Sequence, residues 1–209
     1  MAKLGLGGLD LGSRFRSTSV LCVLQENGRF TFFTPPPSTD GHAWIYEKAL
    51  ELKLSRIFID APLSLPGIYR NPEKFQDYHF RQADIALSAM SPMFLGGFTA
   101  SAMQLAARWK TAGLEVMETY PAGLVRMWGL QHVYVKKENK DKKECLSAFI
   151  LALQECAACT ELSFPEDLQW PVLQSWHEAD ALSCFLSGWR YQLGKAVPFG
   201  MAEEGLIWI

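Results

Sequence analysis

The chain has 209 residues, 49% of them hydrophobic, enough to bury the core of one ordinary domain, so a single domain over 1–209 is expected. The 20 Lys and Arg against 22 Asp and Glu leave a formal charge of -2, which excludes a global positive field, so any contact with nucleic acid must be local. Its 5 cysteines (Cys22, Cys145, Cys156, Cys159 and Cys184) lack the dense spacing of a secreted disulfide scaffold and suit a reducing, cytoplasmic location.

From Met1 to Leu11 there is one lysine, a short apolar stretch broken by glycines and Asp10, and no cleavage-site pattern, so no signal peptide is expected. Residues 4–11 read as a buried strand. Two more, 18–25 and 29–34, are joined by Glu26-Asn27-Gly28, and Asn-Gly between apolar runs is a strong hairpin signal. The stiff stretch 35–40 ends in capping residues, and Trp44, Ala49 and Leu52 then recur at helical spacing, which predicts a first helix.

Residues 56–59 form a short apolar, β-branched run that stops at Asp60-Ala61-Pro62. A similar run, 114–117, stops at Glu118-Thr119-Tyr120-Pro121. Proline cannot continue a ladder, so each acid is expected at the carboxyl end of a strand. Between them, 75–90 and 99–111 are predicted helices, within a helical insertion at about 67–112. The charge-free run 85–107 is long enough to raise a membrane span. Pro92, Gly96, Gly97 and its hydroxyl residues favour two buried helices joined by a turn instead, and no membrane contact is expected. Helices are predicted again at 142–159 and 176–193. The second opens with Ser175 and Glu178 in capping-box relation and stops at Gly194, and a last strand is predicted at 206–209. A hairpin-containing meander followed by helix-separated strands implies a mixed α/β sheet of five or more strands with flanking helices.

Ligands of open α/β sheets bind beyond the carboxyl ends of the strands, where Asp10, Asp60 and Glu118 are expected to converge. Carboxylates gathered in a cleft repel one another unless protonated or neutralised, and a hard divalent cation with oxygen ligands does the latter. His177 and Asp180, three apart on one helical face, can add to such a site, whereas Glu178 is explained by the capping box. The chemistry this suggests is phosphodiester hydrolysis assisted by Mg²⁺ or Mn²⁺, with two ions about 4 Å apart. Lys136 and Lys137, in the basic stretch 136–143, are candidates for substrate phosphates, as are Arg70 and Arg81, which flank the long helical part of the insertion after Asp60. The lysine stretch also suits a solvated loop, and Arg81 also suits a pair with Asp84 one turn later.

The segments Gly5-Leu6-Gly7-Gly8-Leu9-Asp10-Leu11, Ile59-Asp60-Ala61-Pro62-Leu63-Ser64-Leu65-Pro66, Glu118-Thr119-Tyr120-Pro121 and His177-Glu178-Ala179-Asp180-Ala181-Leu182, with Phe80-Arg81-Gln82-Ala83-Asp84 and Ser91-Pro92-Met93-Phe94-Leu95-Gly96 between them, together carry a resemblance over nearly the full length. The chain resembles the predicted nucleases of the ribonuclease H-like fold catalogued as domain of unknown function family 429. The last segment is also similar to the final active-site helix of RuvC-type Holliday junction resolvases. The resemblance implies a metal-dependent nuclease acting on DNA or RNA. By that resemblance, Asp10 bridges the metals, Asp60 binds one, and His177 with Asp180 completes the shell. Glu118 is a ligand particular to the predicted-nuclease family. Resolvases of this type act as symmetric dimers, but no heptad or other self-association pattern indicates a homodimer here.

Two other functions fit parts of the sequence. Leu9-Asp10-Leu11-Gly12-Ser13 followed by Ser17-Thr18 also resembles the first phosphate motif of actin-like ATPases and sugar kinases, which need a second domain across the nucleotide. A catalytically silent binding or scaffold domain is the third, and an exposed aromatic patch would favour it. The 7 tryptophans could build such a patch, although core filling is their expected role. Cys156 and Cys159 have no second Cys/His pair at zinc spacing, so a structural zinc site is not expected.

Overall fold

Apolar runs that stop at acids become the middle of the sheet. In the computed structural model, which describes residues 5–136, 142–160 and 162–209, β1 (Leu6–Asp10) runs parallel to β4 (Arg56–Asp60), and Asp10 stands beside Asp60 in the register. On one side β2 (Val20–Leu24) and β3 (Phe30–Phe33) add antiparallel, with Gly28 at φ +74 allowing the turn between them. On the other side β5 (Glu115–Glu118) and β7 (Ile207–Trp208) add parallel, and β6 (Pro198–Phe199) closes the edge antiparallel. The result is a seven-stranded mixed sheet in the order β3-β2-β1-β4-β5-β7-β6.

Helices cover both faces, as an α/β sheet with two apolar sides requires. One face carries Leu9, Ile57, Ile59 and Val116 under α1 (Gly41–Glu51) and α4 (Gly97–Thr111). The other carries Leu6 and Phe58 under α7 (Trp176–Gln192), with α5 (Pro121–Met127) and α6 (Lys142–Cys159) alongside. Asp40 caps α1 by accepting from the Ala43 amide at 3.1 Å, and Ser175 caps α7 by accepting from the Glu178 amide at 3.1 Å. Glu178 returns its bond to the Gln174 amide (2.6 Å), one residue before the expected partner, and so keeps a capping role.

Gly8 fixes the height of α7. A Cβ there would lie 2.1 Å from the Phe185 nitrogen and 2.4 Å from the Ala181 carbonyl oxygen, so the helix backbone rests directly on β1. Gly188, further along α7, makes room in the same way for Phe58 and Leu6. The helix therefore runs antiparallel to β1, and its first turn lies over the strand's carboxyl end.

In the insertion α4 covers the helix predicted at 99–111, and the difference lies in the first half. The insertion holds a single 3-10 turn (Gly67–Tyr69), α2 (Gln82–Leu87), α3 (Pro92–Leu95) and α4. The helix expected over 75–90 begins only at Gln82, because the Asp77 carboxylate takes the His79 and Phe80 amides at 2.7 and 2.9 Å and holds a turn there. Ser88, in the left-handed region at φ 44, ends α2 early. Among the described residues no helix is long and apolar enough to cross a membrane, and all five cysteines are free. The tryptophans pack into or against the two cores: Trp109, Trp176 and Trp189 are buried, and Trp170 and Trp208 are half-buried.

Candidate acidic site

Side chains alternate across a strand, so the register decides which acids can meet. Asp10 and Asp60 share a rung with the same parity as Leu6 and Phe58 and face α7. Directly above them, the first turn of α7 supplies His177 and Asp180. His177 donates from Nδ1 to Asp10 Oδ2 at 2.7 Å. Asp180, buried, accepts from Lys136 Nζ at 2.5 Å and from the Tyr134 hydroxyl. The Tyr134 ring is fixed between Phe149 of α6 and Trp176 of α7, with centroids 5.3 and 5.5 Å away.

Asp60 is the group left over. It is half-buried, and its carboxylate has no hydrogen bond or ion pair among the described residues. Burial pushes its pKa well above the ordinary carboxylate range; the charges of Asp180, Asp10 and Glu118 push the same way, and Lys136 pulls against them. Burial also raises Asp180, again against the pull of Lys136. The bond to Asp10 raises His177 above its usual value. The cluster thus holds three carboxylates against one lysine and a half-exposed histidine whose side chain is 52% accessible.

Glu118 belongs to a different structure. It shares its rung with Ile59, one residue short of Asp60, so it leaves the strand on the face opposite α7, although it still lines the cleft beside Asp60 and its charge reaches that carboxylate. There it is met by Arg81, whose side chain is fully buried. Arg81 reaches Glu118 Oε1 and Oε2 at 2.6 and 2.7 Å, Asp84 at 2.6 and 3.1 Å, and Ser64 Oγ at 2.9 Å, which uses all five guanidinium donors. The Leu63 amide adds a bond to Glu118 at 2.9 Å. Burial pushes the Glu118 carboxyl up while Arg81 pulls it back; burial works against the Arg81 cation, and the two carboxylates more than offset it. The buried carboxylate of Glu204 completes the network through the Gly67 and Gln82 amides, at 2.8 and 2.9 Å, and its carbonyl accepts from Ser64.

The other candidate residues fall apart from one another. Arg81 has no donor left for a substrate phosphate and forms the pair with Asp84 that the sequence also allowed. Arg70 is exposed beside Tyr69 and makes no ion pair among the described residues. Lys136 joins the acid cluster through Asp180, with its side chain 45% accessible. Lys137 lies outside the described residues, as do 138–141 of the basic stretch. Tyr134 was not anticipated, and it lies in an irregular segment after a turn, where no periodic pattern marks it. Glu204 carried no local signal.

Among the described residues no three metal-ligating side chains stand close enough, as arranged, to hold an ion. The donor chemistry still fits a hard divalent cation, since Asp10, Asp60 and Asp180 offer oxygen ligands and Asp60 is unmatched. A cleft of about 70 Å³ opens beside Asp60, lined also by Pro62, Met90, Leu95, Glu118 and Tyr120. Comparison with protein-family models, with curated proteins and with solved structures finds no match to this chain.

Proposed function

We propose that the protein is a divalent-metal-dependent nuclease of the ribonuclease H-like type, with Asp10, Asp60 and Asp180 as the ligands of Mg²⁺ or Mn²⁺. The observation that carries this is the unpartnered Asp60 carboxylate, beside Asp10 in the register and near enough to Asp10 and Asp180 to feel both charges. The sheet supports it: an antiparallel meander, β3-β2-β1, continued by parallel β4 and β5, is the arrangement that fold requires. Bound ions would supply an activated water and charge stabilisation for the leaving oxygen. The chain's own residues do the rest. Asp10 orients His177 through Nδ1 and leaves Nε2 on a half-exposed ring, able to hold or pass a proton. Tyr134 and Lys136 hold Asp180 in place. Glu118 acts at a distance, pinning the insertion to β5 through Arg81.

A catalytically silent binding domain is the alternative, and two observations favour it: the Lys136 ammonium already balances one carboxylate of the cluster, and Tyr69, Tyr78 and Phe94 are exposed on the insertion. Phosphoryl transfer from ATP has no such support in the site. One experiment separates the first two: thermal unfolding of wild type and Asp10→Asn in rising Mn²⁺. At a hundredfold excess over Kd, a cation bound only to the folded state adds about 2.7 kcal/mol, a rise of roughly 5–10 °C for a chain of this size. We expect that rise in wild type, its loss in Asp10→Asn with folding retained, and Mn²⁺-dependent cleavage of nucleic acid by wild type alone. Identical curves for the two folded proteins would sink the metal site.

A further inference from the structure

Of the four large exposed aromatic rings among the described residues, Phe15 stands apart after β1 and the other three lie on the insertion, next to the acid site. Tyr69, Tyr78 and Phe94 are 49%, 58% and 64% exposed, and His79 is exposed between them. They form a ridge of two ring groups that are neighbours along the chain: Tyr69 meets Tyr78 at 6.0 Å, and Phe94 meets His79 at 5.8 Å and Phe80 at 5.6 Å. Tyr69–Tyr78 and Phe80–Phe94 are edge-to-face, at 86° and 89°, and Tyr69, Tyr78 and Phe94 keep about half or more of their surface open to solvent.

The ridge is built to stay in shape. Asp77 fixes the backbone of His79 and Phe80, and the Tyr69 hydroxyl donates to the Tyr78 carbonyl at 3.2 Å. Buried Ser91 donates to the His79 carbonyl and caps the short helix that carries Phe94, and buried Thr99 donates to the Pro92 carbonyl at 2.7 Å. Rings held rigidly in water give up hydrophobic stabilisation and mark a binding surface. The ridge also leads to the candidate site, because Met90 and Leu95, on either side of Phe94, line the cleft that contains Asp60.

We infer that this ridge is a stacking platform for the unpaired bases of a single-stranded polynucleotide whose backbone enters the acidic site; the inference rests on the nuclease function proposed above. Flat rings with free faces suit nucleobases, which stack without regard to sequence. The overall charge of -2, with Arg70 the exposed cation beside Tyr69, makes stacking rather than phosphate attraction the main source of affinity. A duplex, whose bases are already stacked inward, is a poor fit.

The test is fluorescence anisotropy of the full chain with a fluorescein-labelled single strand of mixed sequence, in EDTA so that nothing is cleaved. Wild type is expected to bind the single strand more tightly than its duplex. Phe94→Leu and Tyr78→Leu are each expected to weaken binding about tenfold, while Phe94→Tyr keeps it. Phe94 and Tyr78 are exposed, so the variants fold. Unchanged binding in both Leu variants would overturn the platform, as would a self-association of wild type that Phe94→Leu abolishes. Absence of binding by wild type overturns the platform alone if Mn²⁺ still stabilises the protein through Asp10, and overturns the nuclease function with it if Mn²⁺ does not.

Discussion

Two groups of carboxylates sit at the same end of one sheet and are treated in opposite ways. Glu118 and Asp84 share a buried arginine whose five donors are all used, and charge is balanced bond by bond. Asp10, Asp60 and Asp180, on the other face, share a half-exposed histidine and a half-exposed lysine, and Asp60 has neither. A closed network fixes structure, since removing any member strands a buried charge. An open one leaves binding capacity, and its cost to stability is the sign of a site.

The largest expected effect comes from breaking the closed network. Arg81→Met leaves Glu118 and Asp84 buried without a cation and should lower stability by about 3–5 kcal/mol, read from the urea midpoint. A loss under about 1 kcal/mol would show that these carboxylates do not depend on the arginine. The open network should respond in the other direction. Because its neighbours and its burial raise the pKa of Asp60, the folded state resists its charge at neutral pH, and Asp60→Asn should raise the melting temperature in EDTA by a few degrees. The same variant should lose the Mn²⁺-dependent rise. A destabilised Asp60→Asn would refute the view that the Asp60 charge costs the folded state stability.

The smallest effect is a pH dependence at the same site. His177 has a folded pKa raised by its bond to Asp10, so its stabilisation is complete below its ordinary value of about 6.5 and is lost as pH rises through the raised one. The ionisation of Asp60 works the same way, costing stability as pH climbs past its ordinary range. Wild type should therefore exceed His177→Gln in melting temperature at about pH 5.5, with the gap closing by about pH 8.5. A gap that widens with pH would refute the ion pair.

Much of the site was legible before the fold. Asp10 and Asp60 were readable because each ends an apolar run at a loop residue or proline, and His177 with Asp180 because a capped helix sets them on one face. The insertion was harder. Its boundaries were visible, but a side-chain cap at Asp77 and a left-handed Ser88 cut the long predicted helix to six residues, and neither feature has a periodic signature. The exposed rings were unreadable for a related reason: the pattern shows that Tyr69, Tyr78 and Phe94 are apolar, and only packing shows that they stay outside.

The sequence by itself determined an alternating α/β chain whose strands end in acids, because apolar periodicity, prolines and caps act over a few residues. The tertiary structure alone decided which acids share a face. A one-residue step in register sends Glu118 to Arg81 on the far side of the sheet, while Gly8 lets α7 settle close enough to bring His177 and Asp180 over Asp10 and Asp60. Side chains alternate at every residue, so a single position of offset between strands separates a carboxylate of the open cluster from one that braces the insertion.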